Sequence, residues 1–439
     1  MSHRHVIAGP LSGSVAESEA VIKAVVEPDI TNVSLVLKAN EKPGEGDAWR
    51  APDNIWADPE REYENNIYTF RVSGLLPDTK YHFALVTDGK IEENARGKLR
   101  TFPKAGEPAG FKFAFGSCSK DPEAEVFSAL KEEKDLSFFF HLGDFHYGNP
   151  KAKSVAKRLK DFDKALNKTA MGKMLRELPL AYTWDDHDFI DNDTGGEANP
   201  ESRKLALAAY ETYIPHYPLV NRERGIFQSF VVGRVLFILT DTRFNQSTRD
   251  REPVEERFVF GDEQLGWIGE KLEQGREMDL IVVTSSFPYV SRNPDKPGDW
   301  FYYPADHRRF ANLVKEKNIR NLCMISGDAH MLAIDDGSHS GFAENDKGGF
   351  PVFHAASLFS SVGSKGGPYS KGSQQNNGSF GYGIEGRNQY GLFEITYHNE
   401  EGFALETPEV LWKGRRVENG VTRDLISHRF NARETFADF

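Results

Sequence analysis

The chain has 439 residues, more than one compact domain usually contains, and at about 150 residues per domain its length predicts two or three domains. Hydrophobic residues make up 39% of the sequence and aromatic residues 12%, which is enough for a large buried core. The formal net charge of -12 argues against binding of nucleic acid or of an anionic membrane through bulk electrostatics. An anionic ligand would therefore need a local cationic centre.

The first ten residues contain neither an apolar core of signal-peptide length nor paired arginines. No stretch of the chain approaches the ~20 apolar residues of a membrane span. We therefore expect a cytoplasmic protein, or a periplasmic or secreted one if the sequence is a processed form. Nothing in the composition indicates an oligomeric state.

Residues 1–103 contain short alternating strands separated by Gly, Pro and Asp, a spacing typical of a small all-β sandwich of the immunoglobulin or fibronectin type III kind. The segment Val72 to Phe83 resembles the fibronectin type III signature, and Tyr81 is placed like the tyrosine of a tyrosine corner, whose hydroxyl bonds back to the preceding turn. The polar stretch from Ala39 to Asn65 is predicted to be a long loop. This domain contains no catalytic set, so we expect it to brace or flank a cleft of the next domain.

Residues 104–110 are rich in Gly, Pro and Ala and are predicted to be a linker. Residues 111–439 alternate apolar strands with helical segments and are predicted to form an α/β domain. Ala152 to Glu177 has helical spacing and a basic exposed face, which we interpret as a solvated helix surface rather than an anion-binding one. Ser360 to Gly383 is rich in Gly, Ser and Asn and is predicted to be a mobile loop or lid.

Four apolar strands of this region end in residue types that bind metal ions. Open α/β sheets place their chemistry at the carboxyl ends of strands, so these side chains are expected to meet in one pocket. A carboxylate together with a phenolate favours a hard, highly charged cation such as ferric iron, and four such strand ends are typical of one dinuclear site. In chain order, the strands lead into Cys118, into Asp144 and Tyr147, into Asp186 and His187, and into Asp328 and His330.

Six motifs of this region, in this order, resemble the PhoD-like alkaline phosphatases, a branch of the dinuclear metallophosphatases. They are GSCS (Gly116 to Ser119), GDFHY (Gly143 to Tyr147), WDDHD (Trp184 to Asp188), DTR (Asp241 to Arg243), GDEQLGW (Gly261 to Trp267) and SGDAH (Ser326 to His330). The resemblance spans about Phe111 to Thr396. It implies an αββα sandwich of two mixed sheets for residues 111–439 and a phosphoric ester hydrolase acting on a small phosphorylated substrate, a monoester or a diester. One departure is Tyr302, which stands where the family suggests Gly and bears on the shape of the substrate cleft.

The resemblance also implies how the ligands are shared. One metal, M1, takes Cys118, Asp144, Tyr147 and His330; the second, M2, shares Asp144 and adds Asp186 and Asp328. A thiolate, a tyrosinate and three carboxylates would balance one trivalent and one divalent ion. We therefore expect Fe³⁺ at M1 and Ca²⁺ at M2, because oxygen-rich ligation without His suits Ca²⁺ better than Zn²⁺. Mn²⁺, Mg²⁺ and Zn²⁺ are the alternative divalent ions.

The only two cysteines have different surroundings in the sequence. Cys323 lies within an apolar strand and is interpreted as a small buried hydrophobic residue. Cys118 follows a strand end, where a ligand is expected. A disulfide between Cys118 and Cys323 is the alternative, and it would remove the thiolate from the metal.

His187 and Arg243 are the candidate catalytic residues. Two metals would generate a bridging hydroxide for in-line attack on phosphorus, and His187 would act as the general acid for the leaving group. A packed or helix-capping role is the alternative for His187. Arg243 would orient the phosphate or support the ligands, with a structural salt bridge to Asp241 or to a helix end as the alternative. His141 and His146 point away from the ligand face and are expected to be packed or exposed.

Two other functions fit part of the sequence. Purple acid phosphatases share the Gly-Asp-x-x-Tyr motif, but their Asn-His and His-x-His motifs are missing here. A catalytically inactive, metal-bearing binding or scaffold protein is the alternative from another class. The presence of every candidate ligand disfavours it. Substrate preference is expected to depend on the loops Ser291 to Tyr303 and Ser360 to Gly383.

Overall fold

The computed structural model of the chain describes residues 5–30, 32–40, 54–62, 66–151, 154–291, 298–344, 349–361, 363, 365–370, 384–399 and 401–433. The N-terminal part consists of strands. They are β1 (Val6–Gly13), β2 (Glu19–Val26), β3 (Val33–Ala39), β4 (Ile55–Ala57), β5 (Glu60–Glu62), β6 (Ile67–Ser73), β7 (Lys80–Thr87) and β8 (Lys90–Arg100).

The rest of the described chain alternates strands and helices before it closes with long antiparallel strands. Its first half contains β9 (Phe111–Gly116), α1 (Glu125–Glu132), β10 (Leu136–Leu142), α2 (Val155–Leu166), α3 (Ala170–Leu175), β11 (Leu180–Thr183), α4 (Asp186–Phe189) and α5 (Pro200–Tyr213). Its second half contains β12 (Gln228–Val232), β13 (Val235–Leu239), α6 (Gly261–Gly275), β14 (Leu280–Ser285), α7 (Pro304–Glu316), β15 (Leu322–Ser326), β16 (Met331–Asp335), β17 (Val352–Ala355), β18 (Ile384–Glu385), β19 (Gln389–His398), β20 (Ala404–Glu418) and β21 (Val421–Asn431).

Two large mixed sheets form the body of the molecule. The first has the order β21-β20-β19-β9-β10-β11-β1-β2-β6-β5, and the second has the order β12-β13-β14-β15-β17-β16-β18. Strands β9, β10 and β11 run parallel, as do β13, β14 and β15. Their carboxyl ends therefore meet at the same edge of each sheet.

The two sheets pack face to face because their central strands are apolar on both sides. Phe138 and Phe140 point into the core between the sheets, whereas Phe139 packs beneath the helices on the outer face. The ring of Phe138 lies 5.2 Å from that of Phe113 and 5.4 Å from that of Phe237 on the second sheet. Each buried Phe stabilises the fold by roughly 1.5–3 kcal/mol. Helices α1, α2, α3 and α5 cover the first sheet and α6 and α7 the second, which confirms the predicted αββα sandwich.

The N-terminal strands form a sandwich that shares its first sheet with the larger domain. Strands β1, β2, β6 and β5 lie in one sheet, and β4-β3-β7-β8 form the other. The hydroxyl of Tyr81 accepts a hydrogen bond of 2.8 Å from the N–H of Leu76, which confirms the predicted tyrosine corner. The likeness to a fibronectin type III domain stays a prediction.

Two predictions of local structure were partly wrong. The polar stretch 39–65 contains strands β4 and β5, which form by pairing with β3 and β6 rather than through an apolar alternation; residues 41–53 and 63–65 lie outside the described residues. The helical stretch 152–177 is two helices, with residues 152 and 153 outside the described part of the chain. The helical conformation is interrupted at Lys168, whose φ is 63°. Thr169 then caps α3 by accepting a hydrogen bond from the N–H of Gly172.

Strand pairing continues from the N-terminal sandwich into the larger domain. Gly13 of β1 pairs in parallel with Leu180 of β11, and the ring of Phe102 lies 5.5 Å from that of Phe138 in the main core. Lys23 also donates a hydrogen bond of 3.0 Å to the carbonyl of Thr212. The predicted boundaries at residues 103 and 110 stay predictions, but one continuous core crosses them. None of the described helices has both the length and the apolar composition needed to cross a membrane.

Gly13→Ala should destabilise the protein, because a Cβ at this position would lie 2.6 Å from the carbonyl oxygen of Leu180 and 2.7 Å from that of Pro215. Moving those two backbone segments should cost about 1–3 kcal/mol. Gly266→Ala is the matched control: no heavy atom lies within 4 Å of its Cβ position, so we expect no loss or a gain of about 0.4–1 kcal/mol. Urea unfolding of both variants measures the difference, and equal midpoints would contradict the role given to Gly13.

Candidate metal centre

The predicted metal ligands follow strand ends of both sheets. Cys118, Asp144 and Asp328 each stand two residues beyond a strand, and Asp186 opens the short helix α4 after β11. Their backbone is unusual, because φ is 63° at Cys118, 56° at Asp144 and 67° at Asp328. His330 is also left-handed, with a φ of 51°. Residues other than Gly rarely adopt this region, and such positions cluster at functional sites, where the reversed backbone turns the side chain out of the strand direction.

The glycines that precede two of these ligands allow the loops to approach each other. A Cβ at Gly143 would lie 2.6 Å from the backbone nitrogen of Asp185, and one at Gly327 would lie 2.9 Å from the carbonyl oxygen of Ser286. Both contacts are shorter than real Cβ atoms tolerate. The Gly-Asp pairs in the sequence therefore combine a close loop contact with an outward-pointing carboxylate.

The ligand atoms of the predicted Cys, Asp and His residues converge. Three sets of side chains bring their donor atoms within 4.8 Å of one another: Cys118 with Asp328 and His330, Asp144 with Asp186 and His187, and Asp144 with Asp185 and Asp328. Asp144 and Asp328 each belong to two sets, so either carboxylate can link two neighbouring positions. The proximity of Asp328 to Cys118 and His330 was not part of the predicted sharing, which assigned Asp328 to the other metal.

A cavity of about 570 Å³ opens over these groups. Cys118 is fully buried beneath it. The phenol of Tyr147 reaches the opposite wall, where it donates a hydrogen bond of 3.1 Å to Ser360. The residues that line the cavity are Lys120, Asp144, Tyr147, Asn149, Asp186, His187, Asn192, Asp328, Ala329, His330, Ser360, Ser361, Gly363 and Lys365.

The electrostatics of the cluster favour a bound cation. Burial, together with the neighbouring Asp186, raises the pKa of Asp144 well above its usual value. Burial and the charge of Asp144 likewise raise the pKa of the Cys118 thiol and of the Tyr147 phenol. Acids crowded in this way need a highly charged positive ion if they are to be ionised together. A donor set of thiol, phenol, imidazole and carboxylates therefore fits metal ions at this site.

Arg243 contacts the carboxylates of the cluster from the protein interior. It is fully buried and is not among the described residues that line the cavity. Its Nε lies 2.5 Å from Oδ1 of Asp185, and its Nη2 lies 3.9 Å from Oδ2 of Asp186. Although burial alone would raise it, the Arg243 charge holds the pKa of Asp186 below its usual range. The carboxylate paired with Arg243 is thus Asp185 rather than Asp241, which instead accepts the N–H of Arg243.

His187 lies on the cavity wall in a defined orientation. Its ring packs 4.3 Å from the ring of Tyr147, and its Nδ1 lies 2.7 Å from Oδ1 of Asn149. Because an amide oxygen only accepts, Nδ1 carries the proton and Nε2 is the other, basic nitrogen. The N–H of Asn149 also donates to the carbonyl of His187 at 3.1 Å. No local pattern in the sequence singles out Asn149, which stands five residues after Asp144.

Two cavity lysines were missed by the sequence analysis. Lys365 contacts both carboxylate oxygens of Asp328, at 2.9 and 2.8 Å. It lies in the predicted lid, of which residues 362, 364 and 371–383 are outside the described residues. The second is Lys120, which directly follows the GSCS motif; a pattern of metal-ligand residues does not predict a lysine at this position.

The structure bears on the alternative disulfide, on Tyr302 and on the two histidines outside the ligand set. Cys118 and Cys323 are both free and buried, so the disulfide is not formed. Tyr302 is not among the described residues of the cavity wall; its hydroxyl donates to the carbonyl of Arg249 at 2.9 Å. In the same loop, residues 292–297 lie outside the described part of the chain. His141 and His146 are buried, which confirms that they are packed.

Comparisons with known proteins agree with this geometry. A family model described as PhoD-like phosphatase matches residues 113–401. Alkaline phosphatase D of Bacillus subtilis (strain 168) is 25% identical over 310 residues, 58% of this chain and 52% of that protein, so the chain spans about half the length of this curated relative. A solved structure of PhoD has a TM-score of 0.77 at 17% identity and covers 100% of this chain and 92% of the other. A purple acid phosphatase from yellow lupin (Lupinus luteus) seeds has a TM-score of 0.60 at 12% identity, with coverage of 96% and 74%. Both structures share the fold.

Arg243→Met should destabilise the protein by about 3–5 kcal/mol, because it leaves the buried Asp185 carboxylate without its cationic partner. Arg249→Met is the matched control. Arg249 pairs with Asp193 at 3.6 Å but its side chain is 47% exposed, so its loss should cost less than about 1 kcal/mol. Urea unfolding checks both values. A loss at Arg243 as small as that at Arg249 would show that the buried pair is not the support described here.

Proposed function

The chain belongs to the PhoD-like phosphatase family, and from this membership and the geometry of its cavity we propose that it is a metal-dependent phosphoric ester hydrolase. The observation that carries the proposal is the convergence of thiol, phenol, imidazole and carboxylate donors, from strand ends of both sheets, under one cavity of about 570 Å³. A space of this size suits a small phosphorylated substrate, either a monoester or a diester.

The proposed metals follow from the donor types. Cys118, Asp144, Tyr147 and His330 would hold Fe³⁺ at M1, because thiolate and tyrosinate stabilise a trivalent ion. Asp144 would be shared with Ca²⁺ at M2, which Asp186 and Asp328 would complete with oxygen ligands alone. When bound, such a pair of metal ions supplies Lewis acidity toward the phosphate oxygens and activates the attacking water.

The chain's own residues would then handle the leaving group. His187 borders the cavity, and its Nδ1–H donates a hydrogen bond to the Oδ1 of Asn149. The Nε2 of His187 is therefore the nitrogen that would carry the catalytic proton. We infer that protonated His187 donates from Nε2 to the departing alkoxide. Arg243 keeps Asp185 and Asp186 in place from outside the cavity and touches no substrate in this proposal.

The purified protein should contain about one iron and one calcium per chain and should be coloured by charge transfer from tyrosinate or thiolate to iron. Tyr147→Phe should shift or bleach this absorption band. Tyr302→Phe is the matched control: its hydroxyl bonds to the carbonyl of Arg249, so the spectrum should not change. Metal analysis and visible absorption spectra check both variants, and a colourless protein with two zinc ions would refute the iron assignment.

His187→Asn should retain both metals and lose ~10²–10⁴-fold in rate on alkyl phosphates, whose alkoxide leaving group needs a proton. The loss should be much smaller on p-nitrophenyl esters, because p-nitrophenolate leaves without one. Hydrolysis rates on both ester types, with metal contents measured alongside, test this. An equal loss on both types would mean that His187 acts by binding or positioning. No turnover of any ester by the metal-loaded wild-type protein would favour the inactive binding protein instead.

A further inference from the structure

The carboxylates of the metal centre lie between two cations of different kinds. Arg243 is fully buried and fixed behind Asp185 and Asp186. Lys365 lies on the opposite side, on the cavity wall, and its side chain is 33% exposed. Its Nζ contacts both oxygens of Asp328, at 2.9 and 2.8 Å. Only the second cation therefore borders the space that a substrate would enter.

Lys365 and a metal ion compete for the same carboxylate. Asp328 lies in two of the three candidate ligand sets, with Cys118 and His330 in one and with Asp144 and Asp185 in the other. A calcium ion binds carboxylate oxygens at about 2.3–2.6 Å. An ammonium that spans both oxygens of Asp328 would then lie within a few ångströms of that ion, and two like charges at such a distance repel strongly where water is scarce.

Lys365 lines a cavity of about 570 Å³, and its ammonium can move within that cavity. Lysine carries its charge on a flexible four-carbon stem, unlike the planar group of Arg243. Next to it stands Gly298, where a Cβ would lie 3.7 Å from the Lys365 Nζ and 3.1 Å from Oδ1 of Asp193. A side chain at position 298 would crowd both the ammonium and the Asp193 carboxylate, which glycine avoids.

We propose that Lys365 is a substrate-binding residue whose availability depends on the metal. Binding of a divalent ion to Asp328 displaces the ammonium, which remains tethered in the cavity and then binds a non-bridging oxygen of the substrate phosphate. The same side chain thus neutralises the ligand carboxylate and recognises the substrate's charge. This inference rests on the proposed function, since it requires both a metal at Asp328 and a phosphate ligand.

The first test measures calcium binding by calorimetry with protein treated with EGTA. In Lys365→Met, calcium should bind about tenfold more tightly than in wild type, because the ion no longer breaks a charged hydrogen-bonded pair. Lys120→Met is the matched control. Its ammonium lies 5.9 Å from the centroid of the Tyr147 ring and pairs with no carboxylate among the described residues, so calcium affinity should stay within about twofold of wild type. Lys365→Gln serves as a second variant if the Met variant folds poorly.

The second test measures binding of inorganic phosphate to the calcium-loaded proteins. Lys365→Met should bind phosphate about tenfold more weakly than wild type, because it lacks one charge-assisted hydrogen bond. Unchanged calcium affinity in both Lys365 variants, or unchanged phosphate affinity in them, would overturn the inference while leaving the proposed hydrolase intact. A wild-type protein that hydrolyses no ester and binds no calcium would overturn the proposed function and the inference together.

Discussion

The site depends on a backbone constraint: a strand must reverse direction within two residues of its end and still deliver a polar side chain. At Cys118, Asp144 and Asp328 this is done by a left-handed residue two positions after the end of the buried strand. Such a conformation is unfavourable for a residue with a Cβ, so it persists only because the neighbouring loops hold it. The apolar strands that fill the core between the sheets thus also provide the rigid base for the ligands.

Charge is the second constraint, because the same turns bring several acidic groups together away from water. Burial and the crowding of negative charge raise the pKa of Asp144 and of Cys118, and Arg243 offsets part of this cost on the buried side. Lys365 acts on the open side, through Asp328. The carboxylates that Arg243 contacts on the buried side are thus held rigidly, whereas the contact between Lys365 and Asp328 on the cavity side can change.

The sequence predicted the central strands well, because buried strands such as Phe138 to Leu142 are mostly apolar and end at Gly, whereas the metal ligands assigned to their ends stay a prediction. Other features depend on tertiary packing and left no local pattern. The partner of Arg243 is Asp185, which is distant in sequence, and Lys365 lies in a stretch whose composition indicates only a loop. Strands β4 and β5 are polar and form through main-chain pairing, so periodicity could not reveal them. The left-handed backbone conformation of the metal-ligand turns could not be predicted from the sequence either, because Asp, His and Cys adopt ordinary backbone angles elsewhere.

The pairing of β1 with β11 also constrains how the protein is made. During synthesis β1 leaves the ribosome long before its neighbour, so one edge of the N-terminal sheet stays unpaired while the intervening chain is added. Exposed strand edges of this kind recruit other chains. The first sheet is complete only when β19, β20 and β21, which follow the second sheet in the chain, have been added beside β9. The N-terminal sandwich is therefore not an independent module, because the edge of its strand β1 pairs with a domain that is made after it.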